Sequence, residues 1–167
     1  MKSIELKKVR LKSDFCLELE YTETVKRKVG DDDVSTTSDI VATYRYPVHQ
    51  DLKDSLSALV KYVAHICEQI VDLDDCPDFL KDITVTGVSF GGSDDHRGAT
   101  VIAQRKLRSG KVLNLISPFT KFDSETSDYV HCYELDACCE GVVSEVNFYL
   151  GGKYAPDPQL ELEFTKN

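Results

Sequence analysis

Nothing in this chain stays apolar for long. No stretch approaches the ~18 consecutive apolar residues of a membrane-spanning helix. The opening, Met1-Lys2-Ser3-Ile4-Glu5-Leu6-Lys7-Lys8, alternates and lacks the apolar region of an export signal. Positive charge is also in short supply: 20 Lys and Arg stand against 29 Asp and Glu, a net charge of −9. That deficit argues against broad binding to nucleic-acid backbones, whose affinity comes largely from cations neutralising phosphates. Several reactive signatures are absent. There is no G-x-S-x-G elbow and no cysteine-protease surround, no P-loop or EF-hand spacing, and no CxxC pair. With no export signal, Cys16, Cys67, Cys76, Cys132, Cys138 and Cys139 read as reduced thiols of a cytosolic protein. Free cysteine behaves mainly as a small buried apolar residue.

What is present suits one domain spanning residues 1–167. A chain of this size buries roughly 70% of its unfolded surface, enough for a core without staples. Phe15, Leu17, Leu19 and Tyr21 alternate with Cys16, Glu18, Glu20 and Thr22, the pattern of a half-buried strand. Before it, Ile4 and Leu6 are out of phase with Val9 and Leu11, which predicts a bulge or two short strands. The polar run Gly30–Asp39 reads as a mobile loop. Ile40, Ala42, Tyr44 and Tyr46 form a third strand ending at Pro47. Leu52, Leu56, Leu59, Val63, Ile66 and Ile70 then follow helical spacing, predicting one helix from about Asp51 to Val71.

A second round resembles the first. Ile83, Val85 and Gly87 alternate with Thr84, Thr86 and Val88. Ala99–Leu107 is the next strand, and Val112–Ile116, apolar on both faces, suits a central strand. A second helix is expected over about Asp128–Leu150, stopped by Gly151-Gly152. Leu160, Leu162 and Phe164 suggest a closing strand. Each round closes on an X-Pro corner, Tyr46-Pro47-Val48 and Ser117-Pro118-Phe119. The order βββα-βββα-β predicts an α+β domain: antiparallel sheet, two long amphipathic helices on one face, and a pseudo-twofold arrangement.

Three segments are candidate ligand- or partner-binding sites. Tyr44, Arg45 and Tyr46 combine aromatics with a cation at a corner, a pattern that can stack a base, although core tyrosines with solvated hydroxyls look the same. The loop holding Gly91, Gly92, Asp94, Asp95, His96 and Arg97 offers close backbone approach and metal-capable side chains. One hairpin tip rarely completes a coordination shell, so it reads first as a turn. Arg105, Lys106 and Arg108, like Lys26-Arg27-Lys28, put positive charge beside a turn, where it is readily solvated. His131, Cys132, Cys138 and Cys139, with His65 and Cys67, lack the converging geometry of a zinc site. No catalytic residue, metal or cofactor is expected.

Three segments carry a resemblance: Tyr46-Pro47-Val48-His49-Gln50-Asp51-Leu52, Ile83–Gly92, and Leu113-Asn114-Leu115-Ile116-Ser117-Pro118-Phe119. In these the chain resembles small proteins of uncharacterised activity encoded by tailed phages and prophages. The resemblance implies a protein made in the cytoplasm of a bacterial host and assigns no functional residue. The expectation is a non-enzymatic binding protein with a protein partner, away from membranes. An accessory single-strand nucleic-acid-binding factor is the first alternative, disfavoured by charge. A small-ligand or metal binder using Gly91–Gly98 is the second. A homo-oligomer would follow from an exposed sheet edge.

Overall fold

The computed structural model describes residues 1–156. Its strands are β1 (Lys2–Ser13), β2 (Cys16–Val29), β3 (Asp32–Tyr44), β4 (Ile83–Gly91), β5 (Gly98–Lys106), β6 (Val112–Ile116) and β7 (Thr120–Lys121). Its helices are α1 (Gln50–Ser57), α2 (Val60–Ile66) and α3 (Cys132–Leu150). Single 3₁₀ turns occupy Asp78–Asp82 and Asp94–His96. The strands form one antiparallel sheet in the order β3-β2-β1-β4-β5-β6, with β7 pairing the far end of β5. The α+β class with an antiparallel sheet is thus observed. Among the described residues no helix is long and apolar enough to cross a membrane. The closing strand expected at Leu160–Phe164 lies outside the described residues.

Two three-strand meanders meet where β1 pairs β4: Lys8 faces Ser89, Val9 faces Val88 and Arg10 faces Gly87. Both first strands are bulged beside this seam, at its opposite ends: β1 between Leu6 and Lys8 and β4 between Val85 and Gly87. A bulge adds one residue and flips the alternation. It therefore brings both Leu6 and Val9, and both Val85 and Val88, onto the buried face. The expected inward set Ile83, Val85, Gly87 is corrected here: Val88 takes the inward place. Gly87 lies buried at the seam, where a Cβ would stand 2.5 Å from the Val9 carbonyl oxygen.

One face of the sheet carries the core. Leu17, Leu19, Val9, Val88, Val101 and Ala103 pack beneath Leu52, Leu56, Leu59 and Val63 of the α1–α2 segment and Leu135, Cys139, Val142 and Val146 of α3. On α3 these residues recur at three- and four-residue steps, one stripe of a helix. The opposite face is polar and solvent-facing, with Glu5, Arg10, Glu20, Thr43 and Gln104 exposed.

Four further expectations are corrected. The single helix Asp51–Val71 is two short ones. Ala58 and Leu59 keep right-handed helical dihedrals, but the bond from Leu59 N–H to Leu56 O is a tightened three-residue step of 3.1 Å. The apolar stripe runs unbroken across this joint, so spacing cannot reveal it. α2 ends early because Glu68 adopts a left-handed φ of 57°, and the Gln69 N–H returns to the Ala64 carbonyl at 2.7 Å. This is the Schellman pattern, with glutamate where glycine is usual. Downstream, the 19-residue α3 begins at Cys132, four residues late.

The polar run Gly30–Asp39 is not a loop. Gly30, at φ 68°, and Asp31 make a two-residue turn, and β2 and β3 stay paired to Val29–Asp32. Cross-strand pairing satisfies the backbone without burial, which side-chain polarity does not report. Finally, β6 is an edge strand rather than a central one, and Val112 and Ile116 are 56% and 61% exposed.

Two glycine substitutions separate these constraints. Gly87→Ala should destabilise by about 1–3 kcal/mol by forcing a methyl into the seam. Gly141→Ala, in α3 with open space around it, should stabilise by about 0.5–1 kcal/mol through helix propensity. Urea unfolding of both variants would check the opposite signs.

Candidate functional site

A hollow lies on the β6 side of the molecule, between the end of α2 and the segment that follows β6. It encloses about 710 Å³, within the ~300–1,000 Å³ of ligand sites. Ile66, Ile70, Val71, Pro118 and Phe119 form its apolar wall, and Glu68, Lys121 and Asp128 lie on its polar margin. Pro118 and Phe119 interrupt the pairing with β5 between β6 and β7, just after Ser117, whose hydroxyl accepts the Val101 N–H at 2.9 Å. That buried bond fixes the start of the wall. Phe119 lies against the closing pair of the β4–β5 hairpin: a Cβ on Gly98 would come within 2.8 Å of its ring, and one on Gly91 within 3.4 Å.

His65 and Tyr129 line the same hollow. The His65 Nδ1 lies 2.9 Å from the Tyr129 hydroxyl, and its Nε2 lies 3.1 Å from the Val71 carbonyl oxygen. Since Nε2 faces an acceptor, Nε2 carries the proton and Nδ1 accepts from the tyrosine hydroxyl when the imidazole is neutral. The His131 ring stands 5.5 Å from His65 and 5.8 Å from Tyr129. Burial, then the nearby Tyr62 and Glu134, pushes the Tyr129 hydroxyl up to about 12. The His65–Tyr129 hydrogen bond joins α2 to the segment before α3, and the bond from His65 to the Val71 carbonyl ties Val71 to the cleft. Val71, Phe119 and Val130 remain 85%, 47% and 76% exposed around it.

In the sequence, His65 and His131 stand only among histidines and cysteines that lack zinc-site geometry, and no motif points to Tyr129. The residues come from segments more than 60 positions apart, and no local motif joins them.

The three segments singled out in the sequence stand in separate places. Tyr44 and Tyr46 belong to an aromatic ladder. The Tyr44 hydroxyl bonds that of Tyr21 at 2.9 Å, its ring meets Tyr149 edge-on at 6.1 Å, and Tyr46 stacks on Tyr154 at 4.6 Å. These stacking faces are largely used internally, while Arg45 projects into solvent. Gly91, Gly92, Asp94, His96 and Arg97 line or adjoin a second hollow of about 570 Å³. Its glycines admit Phe119 and the His96 carbonyl rather than a ligand. Arg97 pairs Glu140 at 3.1 Å. Among the described residues no group of three or more His, Cys, Asp or Glu is placed to hold a metal ion.

Arg105, Lys106 and Arg108 line a groove of about 450 Å³ with Phe79, Asp78 and Asp82. The Arg105 guanidinium is committed. It lies 3.9 Å from the Phe79 ring centre and donates to Gln69 Oε1 at 2.9 Å. These cations are four strands from the Tyr44–Tyr46 corner, ~19 Å across the sheet, so they do not combine with those aromatics. Burial pushes the Cys139 thiol up to about 12, in keeping with a core cysteine.

Comparison with known proteins adds no likeness: no family model, curated protein or solved structure matches the chain.

The tyrosines make an alkaline signature. Tyr44, Tyr62 and Tyr129 are each pushed up to about 12, with burial the largest cause. A raised folded-state value favours the protonated form, so the stability it contributes is complete below pH ~10 and lost as pH rises towards 12. Burial raises Tyr149 as well, so titration followed at the phenolate absorbance should show Tyr44, Tyr62, Tyr129 and Tyr149, four of the eight tyrosines, ionising late, together with loss of tertiary structure.

Proposed function

We propose that this protein is a non-enzymatic interaction protein that holds an extended, apolar segment of a protein partner along β6 and in the adjoining cleft. The carrying observation is the apolar wall of Ile66, Ile70, Val71, Pro118 and Phe119, beside a strand edge that is unpaired among the described residues. Contiguous exposed apolar surface marks interaction sites. A free edge offers backbone donors and acceptors to an added strand, and pockets beside it select side chains. Val112 and Ile116 extend the apolar surface along that edge.

Glu68 supports the same reading. Its left-handed backbone costs roughly 1–2 kcal/mol relative to glycine, yet it sets a carboxylate at the cleft margin. The His65–Tyr129 hydrogen bond holds the wall beneath it. The acidic surface would hasten encounter with a basic partner. The resemblance of the corner segments to phage proteins favours a partner in a bacterial host.

Selection from a displayed library of random peptides tests this directly. Recovered sequences should carry a large apolar anchor and bind the parent protein. Val71→Asp and Phe119→Ser, both at exposed positions, should weaken binding ~10-fold or more, the scale of losing a buried anchor. Failure to recover any binder, or binders indifferent to both substitutions, would remove the proposal.

A further inference from the structure

Among the described residues, β3 ends the sheet on the side away from the cleft. It is 13 residues long, roughly 40 Å at ~3.4 Å per residue. From Asp32 to Tyr44 it carries no proline and no lysine, the devices that usually protect an edge. Its two ends differ. Beyond Lys26, whose N–H and carbonyl bond Met1 at 2.9 Å, β2 and β3 continue as a two-stranded arm. This arm is exposed throughout and tipped by Asp31, Asp32 and Asp33. Val29 and Val34 are 63% and 47% exposed on it. At the opposite end stand Arg45, Tyr46 at 52% exposure and Phe15 at 62%. Arg45 and the three tip aspartates enter no ion pair among the described residues. Within one molecule the length of β3 keeps these two ends apart.

We infer that β3 is a self-complementary interface, and that two copies of this chain pair their β3 strands antiparallel about a twofold axis near Ser38. Such an axis lays the arm of each copy on the corner of the other. In the register centred on Ser38, Asp31 lies opposite Arg45, Val34 opposite Ala42 and Thr36 opposite Ile40. The acidic tip thereby meets the free guanidinium twice. Val34, on the same side of the sheet as Ala42 and Tyr44 by the strand alternation, approaches the partner's corner aromatics. The pairing closes on itself, as a twofold interface must, and joins two sheets into one without using β6. It also gives the arm a neighbour, and isolated two-stranded ribbons are marginal in water.

Sedimentation analysis of the parent protein and two variants tests the inference. The parent should sediment as a dimer in the micromolar range at low salt. Arg45→Asp and Asp31→Arg each set like charges together twice and should weaken the dimer by ~10-fold or more. Asp31 follows the turn glycine and does not have a positive φ, so arginine is accommodated there. An equimolar mixture of the two variants restores both opposite-charge pairs and should dimerise again. A monomeric parent would overturn the inference. So would a dimer untouched by either reversal, or a mixture no tighter than its components.

Discussion

The structure hangs on the close approach of β1 and β4. Three residue pairs join two meanders into one sheet, and the backbones come near enough that Gly87 has no room for a side chain against the Val9 carbonyl. Because each first strand is bulged just before or after this contact, Leu6 and Val9 point the same way, as do Val85 and Val88. Val9 and Val88 sit face to face at full burial. The helices then cover a continuous apolar surface that neither meander would present alone.

That seam also dictates what is left over. Among the described residues six strands in a line leave two edges, β3 and β6, and the helices cover one face between them. On the β6 side the chain runs on past Pro118 to pair β5 again through β7, and Pro118 and Phe119, between the two paired stretches, oppose the end of α2 across the cleft. Among the described residues nothing covers the β3 side, which extends as an exposed two-stranded arm. The two edges therefore differ in chemistry. One is short, apolar and adjoined by a pocket; the other is long, hydroxyl-rich and charged oppositely at its ends. The assignments proposed for them draw on independent residues.

Much of this was legible in the chain, and the exceptions share a cause. The phase slip between Leu6 and Val9 announced the β1 bulge, because alternation is a local property. The slip in β4 was masked by Gly87, which has no side chain to betray which way it faces. The polar stretch around Ser35–Asp39 looked like a loop because the eye follows burial, whereas hydrogen bonding to β2 holds it extended without burial. Val112–Ile116 looked central because both faces are apolar, but apolar surface can equally be kept for a partner. Of the site, the tyrosines at the corner and the glycines of Gly91–Gly98 were visible, yet both are largely consumed by internal packing. The cleft was invisible because His65, Phe119 and Tyr129 meet only after α2 and the post-β6 segment are laid side by side.

By itself, the order of side chains determined the element types, the apolar stripes that make the helices amphipathic, the absence of an extended apolar span and the acidic surface. Each follows from periodicity or composition within a few turns of chain. Tertiary structure alone decided strand order, which edges are free, where α2 stops, and which distant polar groups become neighbours. Those outcomes depend on pairing between residues far apart in sequence, whose energies arise from complementary backbone and packing geometry that no local pattern encodes.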